Sequence, residues 1–206
     1  MTDKIEVETG SWKPRGRSWR PLLICACGLG LVAAGSSGQA KPEEEPMTTT
    51  QVYEVYINAA PQKVWDAITT SAWTEKYGYQ GRVAYDLKPG GTFQAYATPA
   101  MVTMGLPEVV IDGEVVEAAP PQKLVQTYRF LFSDAMKAEG FTRITWEIED
   151  TGAGFCRLTL THELDGAPIM AGMVSSKFSE MGTGGWSWIL SDLKSVLETG
   201  KRLGEG

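Results

Sequence analysis

The sequence predicts an α+β domain in which a curved antiparallel sheet of about seven strands wraps around a long C-terminal helix, with two short helices after the first strand. Three observations predict it. Segments between residues 51 and 163 alternate apolar and polar residues with the period of a half-buried strand. Residues Trp186, Ile189, Leu190, Leu193, Val196 and Leu197 recur at helical spacing as one apolar stripe. The elements run strand, short helices, six strands and helix, with no internal repeat, so the strands belong to one antiparallel layer covered by helix rather than to βαβ units.

Each element has its own signal. In QVYEVYINAAP, Val52, Glu54 and Tyr56 share one face and Tyr53, Val55 and Ile57 the other. Pro61 opens a helix at its first position, where a missing N–H costs nothing. Val64, Trp65, Ile68 and Ala72 then follow at helical spacing, and Trp73 and Tyr77 suggest a second short helix after a break at Thr70 and Ser71. GRVAYDLKPGGTFQAYA reads as two strands around a Lys-Pro-Gly-Gly turn, and VVIDGEVVEAAPPQKLVQTYRFLF as two more around Ala-Pro-Pro. FTRITWEIEDTGAGFCRLTLTHEL is a hairpin turning at residues 150–154. Its inward face carries Ile144, Trp146 and Ile148 on one strand and Cys156, Leu158, Leu160 and His162 on the other, continued by Leu124, Tyr128, Phe130 and Phe132. Arg143, Thr145, Glu147, Arg157, Thr159 and Thr161 face water. The two glycines at 184 and 185 let the chain enter the last helix close to the sheet, and Gly200 suits its left-handed C-terminal stop.

Composition narrows the partners. The chain has 206 residues, 43% hydrophobic, and a formal charge of -6 from 19 basic and 25 acidic residues. With no basic run interleaved with aromatics in the folded part, nucleic acid is not an expected partner, and acidic substrates or anionic membrane surfaces are disfavoured on the same ground. Three cysteines, Cys25, Cys27 and Cys156, cannot form a disulfide framework, so the fold must stand on its core.

Residues 1–46 differ from the globular part at 51–203. Arg15, Arg17 and Arg20 precede the apolar run 21–34, then small residues to Ala40 and the charged KPEEEP linker, which is the order of a secretory signal. The run is shorter than the roughly 20 residues that span a bilayer. The alternative is a translation start at Met47, directly before the domain. The first reading makes the protein exported or membrane-associated, the second cytoplasmic. GLGLVA within the run mimics a dinucleotide fingerprint but has no preceding strand.

Catalytic constellations are scarce. The sole histidine is His162, there is no G-x-S-x-G elbow, and His162-Glu163 lacks the second histidine of H-E-x-x-H. No metal site and no cofactor are expected. Tyr128, Phe130, Trp146, Leu160, His162, Trp186 and Leu190 are the candidates for lining a ligand cavity; the competing reading of the aromatics is a filled core. His162 could bind or protonate a ligand from the cavity side, or merely end its strand against a loop. Trp188 lies off the apolar stripe and either covers the loop 164–183 or anchors a partner. That loop contains Met170, Met173, Phe178 and Met181, flexible side chains suited to a gate over a cavity mouth. Its alternative reading is a connector with a helical turn from Val174 to Met181.

The motifs VYINAAPQKVWDAIT, DLKPGGTF, GEVVEAAPPQKLVQTY, ITWEIE, RLTLTHE and GGWSWILSDLKSVLETG, in this order and spacing, resemble the domain named after the activator of the ninety-kilodalton heat-shock-protein ATPase. That domain belongs to the helix-grip superfamily of the birch pollen allergen, START lipid-transfer domains and aromatic polyketide cyclases. The resemblance spans about residues 51–203 and implies a helix-grip fold with an apolar cavity between the curved sheet and the C-terminal helix. It carries over no shared catalytic residue. In the co-chaperone that lends the name, a separate N-terminal domain makes much of the chaperone contact. Residues 1–46 are too short and differently composed to be one, so a chaperone partner is not the leading expectation. The leading expectation is non-catalytic carriage of a small apolar molecule; the alternatives are a cyclase- or hydrolase-like enzyme with His162 and Glu163 as acid and base, and a co-chaperone.

Overall fold

A computed structural model of the chain describes residues 49–177 and 184–205. The readings made for residues 1–46, and for Phe178 and Met181, lie outside the described residues.

The described residues form an α+β helix-grip fold. The strands are β1 (Thr50–Ile57), β2 (Val83–Tyr85), β3 (Thr92–Tyr96), β4 (Val109–Ala119), β5 (Lys123–Phe130), β6 (Thr142–Asp150) and β7 (Cys156–Glu163). They make one seven-stranded sheet in the order β1-β7-β6-β5-β4-β3-β2, every neighbouring pair antiparallel. Helices α1 (Pro61–Thr69) and α2 (Ser71–Thr74) follow β1, and α6 (Gly185–Thr199) closes the domain.

Alternation dictates which side chains point inward. Along β6 the buried residues are Thr142, Ile144, Trp146 and Ile148, and along β7 they are Cys156, Leu158, Leu160 and His162. Together with Leu193, Val196 and Leu197 of α6 and Val64, Trp65 and Ile68 of α1 they form the core. A buried leucine or isoleucine in such a layer contributes about 1.5–3 kcal/mol, so these rows and the helix stripe hold the sheet and helix together. α6 packs most closely on β1, at the edge beyond β7. It ends at Gly200, whose φ of 77° is the left-handed stop a Cβ would disfavour.

Three local features depart from the sequence expectation. Helix α3 (Pro99–Thr103) and helix α4 (Asp134–Ala138) interrupt the run of strands. Each begins at a side-chain cap, Thr98 accepting from the Met101 N–H and Ser133 from the Met136 N–H, so Thr-Pro and Ser-Asp were the legible signals. The helical turn of the loop is α5 (Pro168–Val174), opened by Pro168, and not the segment from Val174 to Met181. Gly185 brings its backbone close to α5, a contact with no signal in the sequence. Its φ is +57°, and a Cβ there would stand 2.2 Å from the Val174 carbonyl oxygen.

Candidate functional site

Because α6 lies over the β1 and β7 side, the concave face from β2 to β5 is left partly uncovered beneath its first turns. A cavity of about 300 Å³ occupies that space, at the small end of the range for ligand sites. Its wall includes Tyr85 of β2 and Phe93 of β3, whose rings stack 4.6 Å apart, and no residue of β1 or β7.

Four of the seven candidate residues, Tyr128, Phe130, Trp146 and Trp186, line this cavity. Tyr128 and Trp186 meet at 5.9 Å between ring centroids, and Trp146 and Trp186 at 5.6 Å in a T-shaped contact. Leu160, His162 and Leu190 do not line it. They are buried between α6 and the sheet, Leu160 and Leu190 as part of the hydrophobic core.

His162 is wholly enclosed, and both ring nitrogens are used by the protein. The Trp186 indole N–H donates to Nδ1 at 3.1 Å. Nε2 then carries the proton and donates to Thr142 Oγ1 at 2.8 Å, and that hydroxyl donates to the Tyr128 carbonyl oxygen at 2.8 Å. Burial pulls the imidazole pKa down from 6.5 to about 3, because a charged ring would have to give up its hydration. The neutral histidine therefore fixes the Trp186 ring against the sheet. The pairing of His162 with Glu163 as acid and base meets a simple obstacle: adjacent strand residues face opposite ways, and Glu163 lies on the outer face, 4.0 Å from Arg143.

Ionisable side chains are confined to phenols. Asp, Glu, Lys, Arg and His contribute nothing to the wall among the described residues, and burial raises the phenol pKa values of Tyr77, Tyr85 and Tyr128. For Tyr77 the Asp192 carboxylate adds to the rise. The Tyr77 hydroxyl donates to the Ala67 carbonyl at 3.0 Å and that of Tyr85 to Gln126 Oε1 at 2.8 Å. No group of His, Cys, Asp and Glu that could hold a metal ion occurs among the described residues.

The loop 75–82 contributes Gly78, Tyr79, Gln80 and Gly81 to the wall. It is tied to α6 by the buried Asp192, which accepts from the Gly78 N–H at 2.8 Å and the Leu203 N–H at 2.7 Å and pairs with Arg202 at 3.2 Å. Arg202 also donates to the Gly78 carbonyl at 2.9 Å. Trp188 packs on Tyr79, with ring centroids 5.1 Å apart, so the tryptophan off the stripe meets this loop. Of the loop methionines, Met170 is buried in the core beside Thr142, whereas Met173 reaches the cavity and is 38% exposed.

Sequence reading missed Gln126, although its signal was present: it is the one polar residue in the inward row Leu124, Gln126, Tyr128, Phe130 of β5. It missed Tyr85, Phe93 and Thr74 because their strands and helix are too short to show a period.

The family model described as "Activator of Hsp90 ATPase homolog 1-like protein" matches residues 58–198. The chain belongs to that family. This homolog 1-like domain resembles, among solved structures, the Aha1 dimer from Colwellia psychrerythraea at 18% identity and a TM-score of 0.51, covering 74% of this chain and 98% of that one. It also resembles a Mesorhizobium loti protein at 20% identity and 0.52, covering 72% and 96%, and a Bordetella parapertussis protein at 18% and 0.51, covering 78% of each. These likenesses show the fold alone. No curated protein sequence matches the chain.

Proposed function

We propose that this homolog 1-like protein binds and carries a small, largely apolar molecule in the cavity beneath the first turns of α6, without transforming it. One observation carries the reading: an aromatic-walled space of about 300 Å³ bordered by neutral side chains, in a fold whose other inward residues pack closely. Carriage rather than turnover is supported by the engagement of both His162 nitrogens within the protein, which leaves that ring no proton to exchange with a ligand.

The test uses N-phenyl-1-naphthylamine, a neutral apolar dye that brightens on leaving water. Binding should be saturable at one site and should raise the melting temperature, since a ligand that binds only the native state stabilises it by about 2.7 kcal/mol at a hundred times its Kd. Widening the wall with Phe93→Ala should change dye affinity, whereas an exposed-face change such as Thr159→Ala should not. No saturable binding of this dye or of other neutral aromatics would overturn the proposal.

Family membership favours a second reading, stimulation of the Hsp90 ATPase. Its check is the ATPase rate of Hsp90 with and without the full chain.

A further inference from the structure

The cavity wall is apolar except for a few polar atoms. Among the described residues, two buried side-chain polar atoms have no hydrogen-bond partner, Thr74 Oγ1 and Trp146 Nε1, and both residues line this cavity. Trp146 is 6% exposed and its indole nitrogen can only donate. Gln126 is 1% exposed and also lines the cavity. Its Oε1 accepts from Tyr85, while its amide nitrogen donates to no described residue.

Register places these two donors together. In the β5–β6 ladder Leu124 pairs with Trp146 and Gln126 with Ile144, so Gln126 and Trp146 are diagonal neighbours on the same concave face. Diagonal neighbours lie about 7–8 Å apart, within reach of long side chains converging on one point. A buried donor without an acceptor is costly, and native proteins rarely retain one without a reason. No neighbouring hydroxyl relieves the indole, since Trp146 Nε1 has no hydrogen-bond partner among the described residues.

We infer that Gln126 and Trp146 form an N–H donor pair that receives an oxygen of carbonyl type on a neutral, otherwise apolar ligand. This rests on the binding reading above and narrows it from any small apolar molecule to one carrying an accepting oxygen. A carbonyl oxygen has two lone pairs and can take both donors at once. An anion is the wrong complement: it would lose its hydration in a wall without a positive side chain. A plain hydrocarbon would leave both donors unmatched.

The experiment compares 2-acetylnaphthalene with 2-ethylnaphthalene, which share a shape and differ by a carbonyl oxygen, through displacement of N-phenyl-1-naphthylamine from the full chain. Trp146→Phe removes one donor, and Gln126→Met combined with Tyr85→Phe removes the other without freeing the Tyr85 hydroxyl, the hydrocarbon probe correcting for the change in shape. Each should weaken the ketone about fivefold more than the hydrocarbon, the factor expected for one neutral hydrogen bond. With the wild-type protein alone, the infrared carbonyl band of bound 2-acetylnaphthalene should lie below its position in hexane, so the inference can fail even where a variant does not fold. Equal weakening of both probes, with the band at its hexane position, would overturn the donor pair and leave carriage standing; the Trp146 N–H would then be directed at the face of the Trp186 ring. Failure of both probes and the dye to bind the wild-type protein would overturn the carriage reading itself.

Discussion

Mild acidification should destabilise this protein through one residue. His162 is the sole histidine of the chain, so between pH 7.5 and 5.0 it is the only side chain whose ordinary pKa falls in the window. Its folded pKa is lowered by burial to about 3 from 6.5. The unfolded chain therefore takes up a proton that the native state refuses. The contribution is fully present above pH 6.5 and is lost as pH falls from there towards 3. Each pH unit inside that interval removes about 1.4 kcal/mol, so about 2 kcal/mol should vanish between pH 7.5 and 5.0, before ordinary carboxylates begin to titrate. Urea denaturation at half-unit pH steps measures it, followed by tryptophan emission because Trp186 donates to this ring. The His162→Gln variant is less stable at pH 7.5 but has no proton to take up, so its stability should be flat over the same window. A wild-type curve as flat as that of the variant, or a variant as steep as the wild type, would refute the argument that His162 is held neutral.

Two further outcomes follow from packing. Leu193→Ala removes a side chain that is 1% exposed against the sheet and should lower unfolding free energy by about 2–5 kcal/mol; a loss under about half a kcal/mol would mean that α6 does not seat there. Gly185→Ala combines a left-handed φ of +57° with a Cβ position 2.2 Å from the Val174 carbonyl oxygen, so it should cost more than the roughly 1–2 kcal/mol of the conformation alone, measured by the same urea titration, and a neutral result would place α5 farther from α6.

By itself the sequence determined which side of each long element faces inward. Alternation along 142–148 and 156–162 and the stripe from Trp186 to Leu197 are properties of the covalent chain, because a strand repeats every two residues and a helix every 3.6. The Gly200 stop, the Lys-Pro-Gly-Gly turn and the family resemblance were legible on the same footing. Short elements were less so: α3 and α4 have five residues each, too few for a period, and only their Thr98 and Ser133 caps announce them. Tertiary structure alone decided which inward residues border a space and which fill one. Tyr128 and His162 both point to the concave side, yet the first borders the cavity and the second is locked between Thr142 and Trp186, 20 and 24 residues away in sequence. Likewise the donors of Gln126 and Trp146 become neighbours only through the β5–β6 register. The reason is geometric: periodicity encodes a direction for each side chain, whereas an unfilled volume depends on where α6 crosses the sheet, which is fixed by the packing of many distant residues at once.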